Sequence, residues 1–138
     1  MRTIAITGLV ALGLLGCTQA EMPQPEDGKR LFDAHCAACH GAMGQGDGAA
    51  GAALDPRPAD LTRLRTSDGL FPRAQVLSVI DGYTRGEGAH PGMPAFGDSL
   101  GGDLVPFDSG DGVMTPTPRL LVALVGYLET LQRPGEQP

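Results

Sequence analysis

Cys36-Ala37-Ala38-Cys39-His40 is the stretch on which the interpretation of this chain depends. On a helical turn, two thiols three positions apart lie on one face, and the histidine follows four positions after the first thiol. Both thiols can add to the vinyl groups of one porphyrin, and the imidazole can bind the iron axially. The stretch therefore predicts one covalent haem c, held by Cys36 and Cys39, with His40 as an iron ligand.

Other uses of a Cys-x-x-Cys pair fit the chain less well. A thioredoxin-like dithiol belongs to a strand–helix–strand frame, for which the sequence shows no pattern. A zinc site needs a further ligand, from His35 or His90, and usually a second cysteine pair. A disulfide between Cys36 and Cys39 closes so short a loop that it is strained and adds little stability.

Haem iron bound by one histidine has a second axial position, and Met93 is the predicted ligand there. Met93 lies in residues 90–97, HPGMPAFG. Prolines on both sides stiffen this loop, and Gly92 lets the backbone approach a ring closely. A thioether is a neutral ligand that raises the potential of haem iron. Met114 is the runner-up, and the remaining alternatives are His90, Met43 and an open position.

The rest of the chain predicts short helices that are separated by irregular, Gly- and Pro-rich stretches. Apolar residues at helical spacing predict helices over residues 25–35, 72–80 and about 118–131, and Asp60 is predicted to cap a short turn. No alternating apolar pattern indicates a sheet, so residues 86–118 are expected to be irregular.

The first 16 residues have the features of an export signal. Arg2 is followed by a mostly apolar run, from Ile4 to Gly16, that is too short to span a bilayer comfortably. A single basic residue, a short apolar run and small residues at its end are the pattern of a segment that is removed after export. The remaining chain is expected on the extracytoplasmic side of a membrane.

The apolar run ends in Leu14-Leu15-Gly16-Cys17, which resembles the lipobox of bacterial lipoproteins, although Leu15 stands where a smaller residue is usual. The resemblance implies that Cys17 becomes a lipidated N-terminus. Residues 17–25, polar and Pro-containing, are then a tether between the membrane and the domain. Ordinary cleavage after Ala20, which leaves a soluble periplasmic protein, is the alternative.

The charge of the chain excludes one class of partner and suggests another. Ten basic and sixteen acidic side chains give a net charge of -6. Only Arg2 among the basic residues lies in the export signal, so its removal leaves about -7. Nucleic acid is not an expected partner, because its phosphates need a basic surface. A redox protein with a basic docking patch is expected instead, although acidity also serves solubility.

Three features, in this order, resemble the class I cytochrome c family. They are Gly28-x-x-Leu31-Phe32 before the Cys36–Gly41 motif, Met93-Pro94-Ala95-Phe96-Gly97, and a last helix with Tyr127. The resemblance covers about residues 26–133 and implies a cytochrome c domain over residues 26–134. That fold is all-α, with small helices around one haem.

The resemblance also implies particular contacts. The first and last helices of the family cross with a glycine and aromatic residues in contact, which Gly28, Phe32 and Tyr127 match. A proline carbonyl usually orients the histidine ligand, and Pro56 and Pro58 are the candidates. The chain departs from the family at residues 98–118, an acidic insertion that could form a docking surface or be a tolerated surface loop.

The function implied by the resemblance is single-electron transfer rather than enzymatic catalysis. With His40 and Met93 both on the iron, no substrate reaches the metal. Two alternatives stay open. One is a gas sensor or enzyme with an open sixth position, and the other is a permanent subunit of a dehydrogenase or oxidase complex.

Overall fold

A computed structural model describes residues 21–83 and 92–133. The helices are α1 (Pro25–His35), α2 (Ala37–His40), α3 (Arg73–Asp81) and α4 (Arg119–Thr130), with 3-10 turns at Ala49–Gly51 and Leu61–Arg63. Strands β1 (Leu104–Asp108) and β2 (Met114–Pro118) form an antiparallel hairpin between α3 and α4 in chain order. Over these two ranges, none of the helices combines the length and apolarity needed to cross a membrane.

Helix α1 begins at Pro25, as the sequence predicts. Proline suits the first position of a helix, because an N–H group at that position would have no hydrogen-bond partner within the helix. The Asp27 carboxylate accepts a hydrogen bond from the Gln24 N–H at 3.1 Å, and this bond lowers the pKa of Asp27. The helix ends where Cys36 takes φ -118°, and α2 begins directly after it as a separate turn.

The crossing of α1 and α4 forms the centre of the fold. A Cβ added at Gly28 would lie 2.0 Å from the Ala123 carbonyl oxygen, so the two backbones meet where only glycine fits. Phe32 is fully buried, and its ring centroid lies 5.4 Å from that of Tyr127. The contact among Gly28, Phe32 and Tyr127 that the family resemblance implies is confirmed.

The core extends from this crossing to α3 and to the segment that follows it. Its buried side chains come from α1, α3 and α4 and from two loop positions: Phe32, Phe71, Val76, Ile80, Leu100, Leu121, Leu124, Val125 and Leu128. Helix α3 ends at Gly82, which has φ 98° and donates its N–H to the Ser78 carbonyl. This left-handed glycine cap ends α3 one residue beyond the end that the sequence predicts, residue 80.

The hairpin contradicts the prediction of an irregular stretch and an all-α fold. β1 and β2 pair from Leu104↔Pro118 to Asp108↔Met114. The pattern was missed because the inward side chains of β1 are apolar while those of β2 are threonines, and because both strands contain proline. Proline is tolerated where a strand position needs no N–H donor, so the prolines do not prevent pairing.

Aspartate side chains hold the turn of the hairpin, and Asp108 makes two of the hydrogen bonds. The Oδ1 atom of Asp108 accepts hydrogen bonds from the N–H groups of Gly110, at 2.8 Å, and Gly112, at 3.0 Å. Both glycines have positive φ, 116° and 78°, which other residues rarely adopt. The glycines and acidic residues of the insertion therefore build a defined turn.

Candidate functional site

A cavity of about 400 Å³ lies among α1, α2, α3, α4 and two loop segments, residues 54–64 and 92–96. This volume is within the range of about 300–1,000 Å³ that is usual for cofactor sites. Most of its lining is apolar, including Leu54, Leu61, Leu64, Val76, Val79, Ile80, Phe96, Leu124 and Leu128. The cavity is suited to a large apolar group rather than to a polar metabolite.

Four predicted site residues line this one cavity: Cys36, Cys39, His40 and Met93. Of the alternatives to Met93 as the second iron ligand, the structure describes Met114 and Met43 but not His90. Met114 on β2 is 67% exposed and Met43 is 64% exposed, and neither is in the lining. His90 and the predicted lipidation site Cys17 lie outside the described residues.

The cysteines are placed by a one-turn helix. The N–H groups of Cys39 and His40 both bond to the Cys36 carbonyl, at 3.1 and 2.9 Å. Gly41, with φ 80°, ends the turn, where a Cβ would collide with the Asp47 carboxylate. Both Cys36 and Cys39 are free thiols, so both sulfur atoms are available for thioether bonds.

The environment of Cys36 argues against a reactive thiolate. Burial, reinforced by the neighbouring Cys39, raises the pKa of Cys36 to about 11. Redox-active and metal-binding cysteines need the opposite, a thiolate stabilised at neutral pH. In the described parts of the chain, no three His, Cys, Asp or Glu side chains lie together as a metal cluster. The two thiols therefore fit covalent attachment of a cofactor better than dithiol exchange or zinc binding.

His40 is oriented by a backbone carbonyl. Its Nδ1 lies 3.0 Å from the Ala59 oxygen. Since a carbonyl only accepts, Nδ1 carries the proton, and Nε2 of the neutral ring keeps its lone pair for a metal. The prediction that Pro56 or Pro58 supplies this carbonyl is wrong: any residue type carries a carbonyl, so residue identity could not select the one that faces the ring.

The Ala59 carbonyl is held by the turn that follows it. The Oδ1 atom of Asp60 accepts bonds from the Thr62 N–H, at 2.9 Å, and from its hydroxyl, at 2.6 Å, as the predicted cap. Burial by itself raises the pKa of Asp60, but these hydrogen bonds and the positive charges of Arg133 and Arg63 together outweigh it, so the pKa is lowered. The Leu61 N–H also bonds to the Gly44 carbonyl at 2.6 Å, which ties the turn to the loop after His40.

The loop that carries Met93 is attached to the end of α3. The N–H groups of Phe96 and Gly97 bond to the carbonyls of Ile80 and Asp81, at 2.9 and 3.1 Å. A Cβ at Gly97 would lie 2.5 Å from the Asp81 carboxylate, so glycine permits this close approach. The loop that carries Met93 is therefore fixed to the end of α3 by hydrogen bonds that begin three residues after the methionine.

Sequence reasoning missed Arg57. Its side chain lines the cavity and is the one fixed charge among the lining residues, the others being apolar, polar or histidine. A guanidinium at the edge of an apolar cavity can pair with the carboxylates of a haem. The only feature of the sequence that could have drawn attention to Arg57 is its place between Pro56 and Pro58. That pattern by itself does not indicate which group the arginine binds.

The cavity passes the chemical test for haem c. Two free thiols, one oriented imidazole, one thioether and one arginine line an apolar space, and each has a matching group on the porphyrin. The donor set contains no carboxylate, which a site for a hard cation such as Mg²⁺ or Ca²⁺ would require.

Comparison with protein families agrees with this chemistry. The family model described as cytochrome c matches residues 25–104, which is more than half of the 138 residues. The match includes α1, α2, α3 and Met93, while β2 and α4 lie beyond its end. No curated protein and no solved structure was found that matches the chain.

Proposed function

Because this chain belongs to the cytochrome c family, whose members bind covalent haem c and transfer electrons, we propose that it is a mono-haem electron carrier with His40 and Met93 as iron ligands. Bound haem c supplies the ferrous/ferric couple. The observation that carries the proposal is that both thiols, His40 and Met93 line the same apolar cavity.

The proposed role of His40 follows from its hydrogen bond. The bond from Nδ1 to the Ala59 oxygen selects the tautomer in which Nε2 is free, and it holds the ring plane. A histidine that donates from Nδ1 is also a more basic ligand at Nε2. The local motif therefore supplies the ligand, and the Ala59 turn supports its orientation.

The proposed role of Met93 is to close the second axial position in both oxidation states. The bonds of Phe96 and Gly97 to α3 restrict the loop, so little reorganisation accompanies the gain or loss of an electron. A thioether and an apolar surrounding both favour the less charged ferrous state, which raises the reduction potential. A closed site also keeps oxygen and other small molecules from the metal.

We further propose that the carrier is a lipoprotein. The export signal of residues 1–16 and the lipobox at Cys17 support a location on the extracytoplasmic side, which is typical of cytochrome c domains. A lipid at Cys17 would keep the carrier near membrane-bound donors and acceptors and so raise their effective concentration. The net charge of -6 supports redox partners with basic docking patches.

An absorption spectrum of the holoprotein, oxidised and reduced, with and without carbon monoxide, tests the function. The proposal expects a low-spin haem, a methionine-to-iron charge-transfer band and no change on adding the gas. A high-spin spectrum or ready binding of carbon monoxide contradicts the closed His40/Met93 site. That result would support the gas sensor or enzyme instead. Co-purification with other subunits at high salt would support a permanent complex.

A further inference from the structure

The two faces of the β1–β2 hairpin differ in what covers them. In the observed register, Val105 and Phe107 share one face, on which Val105 is 1% exposed and Phe107 packs against the core. Alternate residues point to the opposite side of a two-stranded sheet. The opposite side, here named the outer face, consists of Leu104, Pro106, Asp108, Met114, Pro116 and Pro118.

The outer face is apolar and exposed. Leu104 is 59% exposed and Met114 is 67% exposed, and Val113 in the adjoining turn is 59% exposed. Five of the six residues of this face are apolar, and only Asp108 carries a charge. Large apolar side chains grouped on one exposed face of a small domain indicate a contact surface.

This surface is separate from the haem site and from the strand edges. None of residues 104–118 lines the cavity. Pro106 and Pro116 face each other across the strands and carry no N–H, so each removes a donor that an added strand would need. The contact surface is therefore the side-chain face of the hairpin rather than a strand edge.

The predicted tether reaches the domain at the base of this hairpin. The guanidinium of Arg119, the residue that follows β2, donates a hydrogen bond to the carbonyl of Glu21. Glu21 is only four positions after Cys17, and a chain of that length spans at most roughly 14 Å when fully extended. A lipid at Cys17 would hold the base of the hairpin within that distance of the membrane.

We propose that the outer face of the hairpin rests on the lipid surface and orients the domain on the membrane. This rests on the lipidation of Cys17 in the proposed function. The short tether favours a bilayer over a protein as the occupant, and Leu104 and Met114 are side chains that enter the interfacial region of a bilayer favourably. Because no residue of the hairpin lines the cavity, contact between the hairpin and the membrane does not cover the residues that line the cavity, and redox partners can approach them.

The acidic side chains in the turn of the β1–β2 hairpin predict which lipid headgroups the outer face prefers. Asp108 and Asp111 lie at the turn with carboxylates that accept backbone hydrogen bonds, and these bonds lower the pKa of Asp108. The lowered pKa keeps the Asp108 carboxylate charged at neutral pH, and anionic headgroups repel it. The contact is therefore expected to be stronger on zwitterionic than on anionic vesicles and to persist in high salt.

Two native methionines allow a matched test. Met114 and Met43 are 67% and 64% exposed, and only Met114 belongs to the hairpin. The lipidated holoprotein on phosphatidylcholine vesicles is treated with a mild oxidant that converts thioethers to sulfoxides, and peptides are quantified by mass spectrometry. Relative to the soluble Cys17→Ala holoprotein, the rate for Met114 should fall at least roughly fivefold and that for Met43 should stay unchanged. Adding phosphatidylglycerol should reduce the protection.

A pair of leucine variants provides the control. Leu104→Glu places a charge on the outer face and should restore the oxidation of Met114 on vesicles. Leu70→Glu, at a position 65% exposed and outside the hairpin, should leave the protection of Met114 intact. Both positions are exposed, so neither variant is expected to unfold the domain.

Three results would overturn the proposal. They are equal rates for Met114 with and without vesicles, protection that appears only with a soluble redox protein, and a mass spectrum that shows no lipid on Cys17. The last result removes the anchor on which the proposal rests. It does not affect the electron-carrier function, which is tested independently by the methionine-to-iron band of the same sample.

Discussion

The Nδ1 atom of His40 donates a hydrogen bond to the Ala59 carbonyl oxygen, 3.0 Å away and 19 residues further along the chain. His40 itself stands at the end of the one-turn helix that carries Cys36 and Cys39. A local motif therefore supplies the thiols and the histidine, while a distant carbonyl determines the tautomer of the ring. The predictions below test the parts that depend on this arrangement.

Replacing Met93 by Ala should abolish the methionine-to-iron charge-transfer band and open the iron to carbon monoxide, because the cavity then lacks its thioether. Met114→Ala is the matched control, since Met114 is 67% exposed and lies outside the lining. Absorption spectra of both holoproteins decide the matter. A band that survives in Met93→Ala and disappears in Met114→Ala would reverse the assignment.

Gly28→Ala should destabilise the holoprotein by about 1–3 kcal/mol, because the new methyl group would overlap the Ala123 carbonyl and Tyr127 at the helix crossing. Gly126→Ala, within α4, meets nothing within 4 Å and should be neutral or stabilising by up to about 1 kcal/mol. Denaturant unfolding of both variants measures the difference. Equal stabilities would show that α1 and α4 do not pack at Gly28.

Asp60→Ala should cost about 1 kcal/mol at neutral pH, because it removes the cap of the turn that follows Ala59. The folded-state pKa of Asp60 lies below its ordinary value of 3.8. Its contribution is therefore complete above that value and is lost as the pH falls through the folded-state pKa. The stability difference between wild type and variant should shrink below about pH 4.

Unfolding of the holoprotein at several pH values checks this prediction, with the exposed Asp98→Ala as the comparison. Asp98→Ala should change the unfolding free energy by less than about 0.5 kcal/mol. A difference for Asp60→Ala that does not change with pH would mean that its carboxylate charge contributes nothing to the cap.

Cys17→Ala should prevent the incorporation of labelled fatty acid and release the holoprotein from the membrane fraction. The absorption spectrum should stay unchanged, because Cys36 and Cys39 are the thiols that line the cavity. Fractionation and spectra of the same preparation give both readings. Membrane association that persists without the label would point to another mode of attachment.

Arg57 and the choice between Met93 and Met114 show what needed three-dimensional information. The flanking prolines and Gly92 already favour Met93 over Met114, and the structure adds that Met93 lines the cavity while Met114 does not. Arg57 became relevant because the chain brings its side chain to the cavity edge. Sequence spacing carries no information about such long-range placement.

The sequence by itself determined the features that arise within a few residues of each other. These are the helical turn with two thiols and His40, the cap at Asp60, the glycine stop after α3 and the spans of α1, α3 and α4. Each depends on helical spacing or on a local hydrogen bond, which adjacent residues specify.

Only the tertiary structure decided the rest. It selected the Ala59 carbonyl for His40, brought Met93 into the cavity, and paired β1 with β2. A backbone carbonyl is common to all residues, and the pairing of the strands goes with the burial of Val105 and the packing of Phe107 against the core. Such contacts form only when the packed core holds the segments together, and for that reason the local pattern did not reveal them.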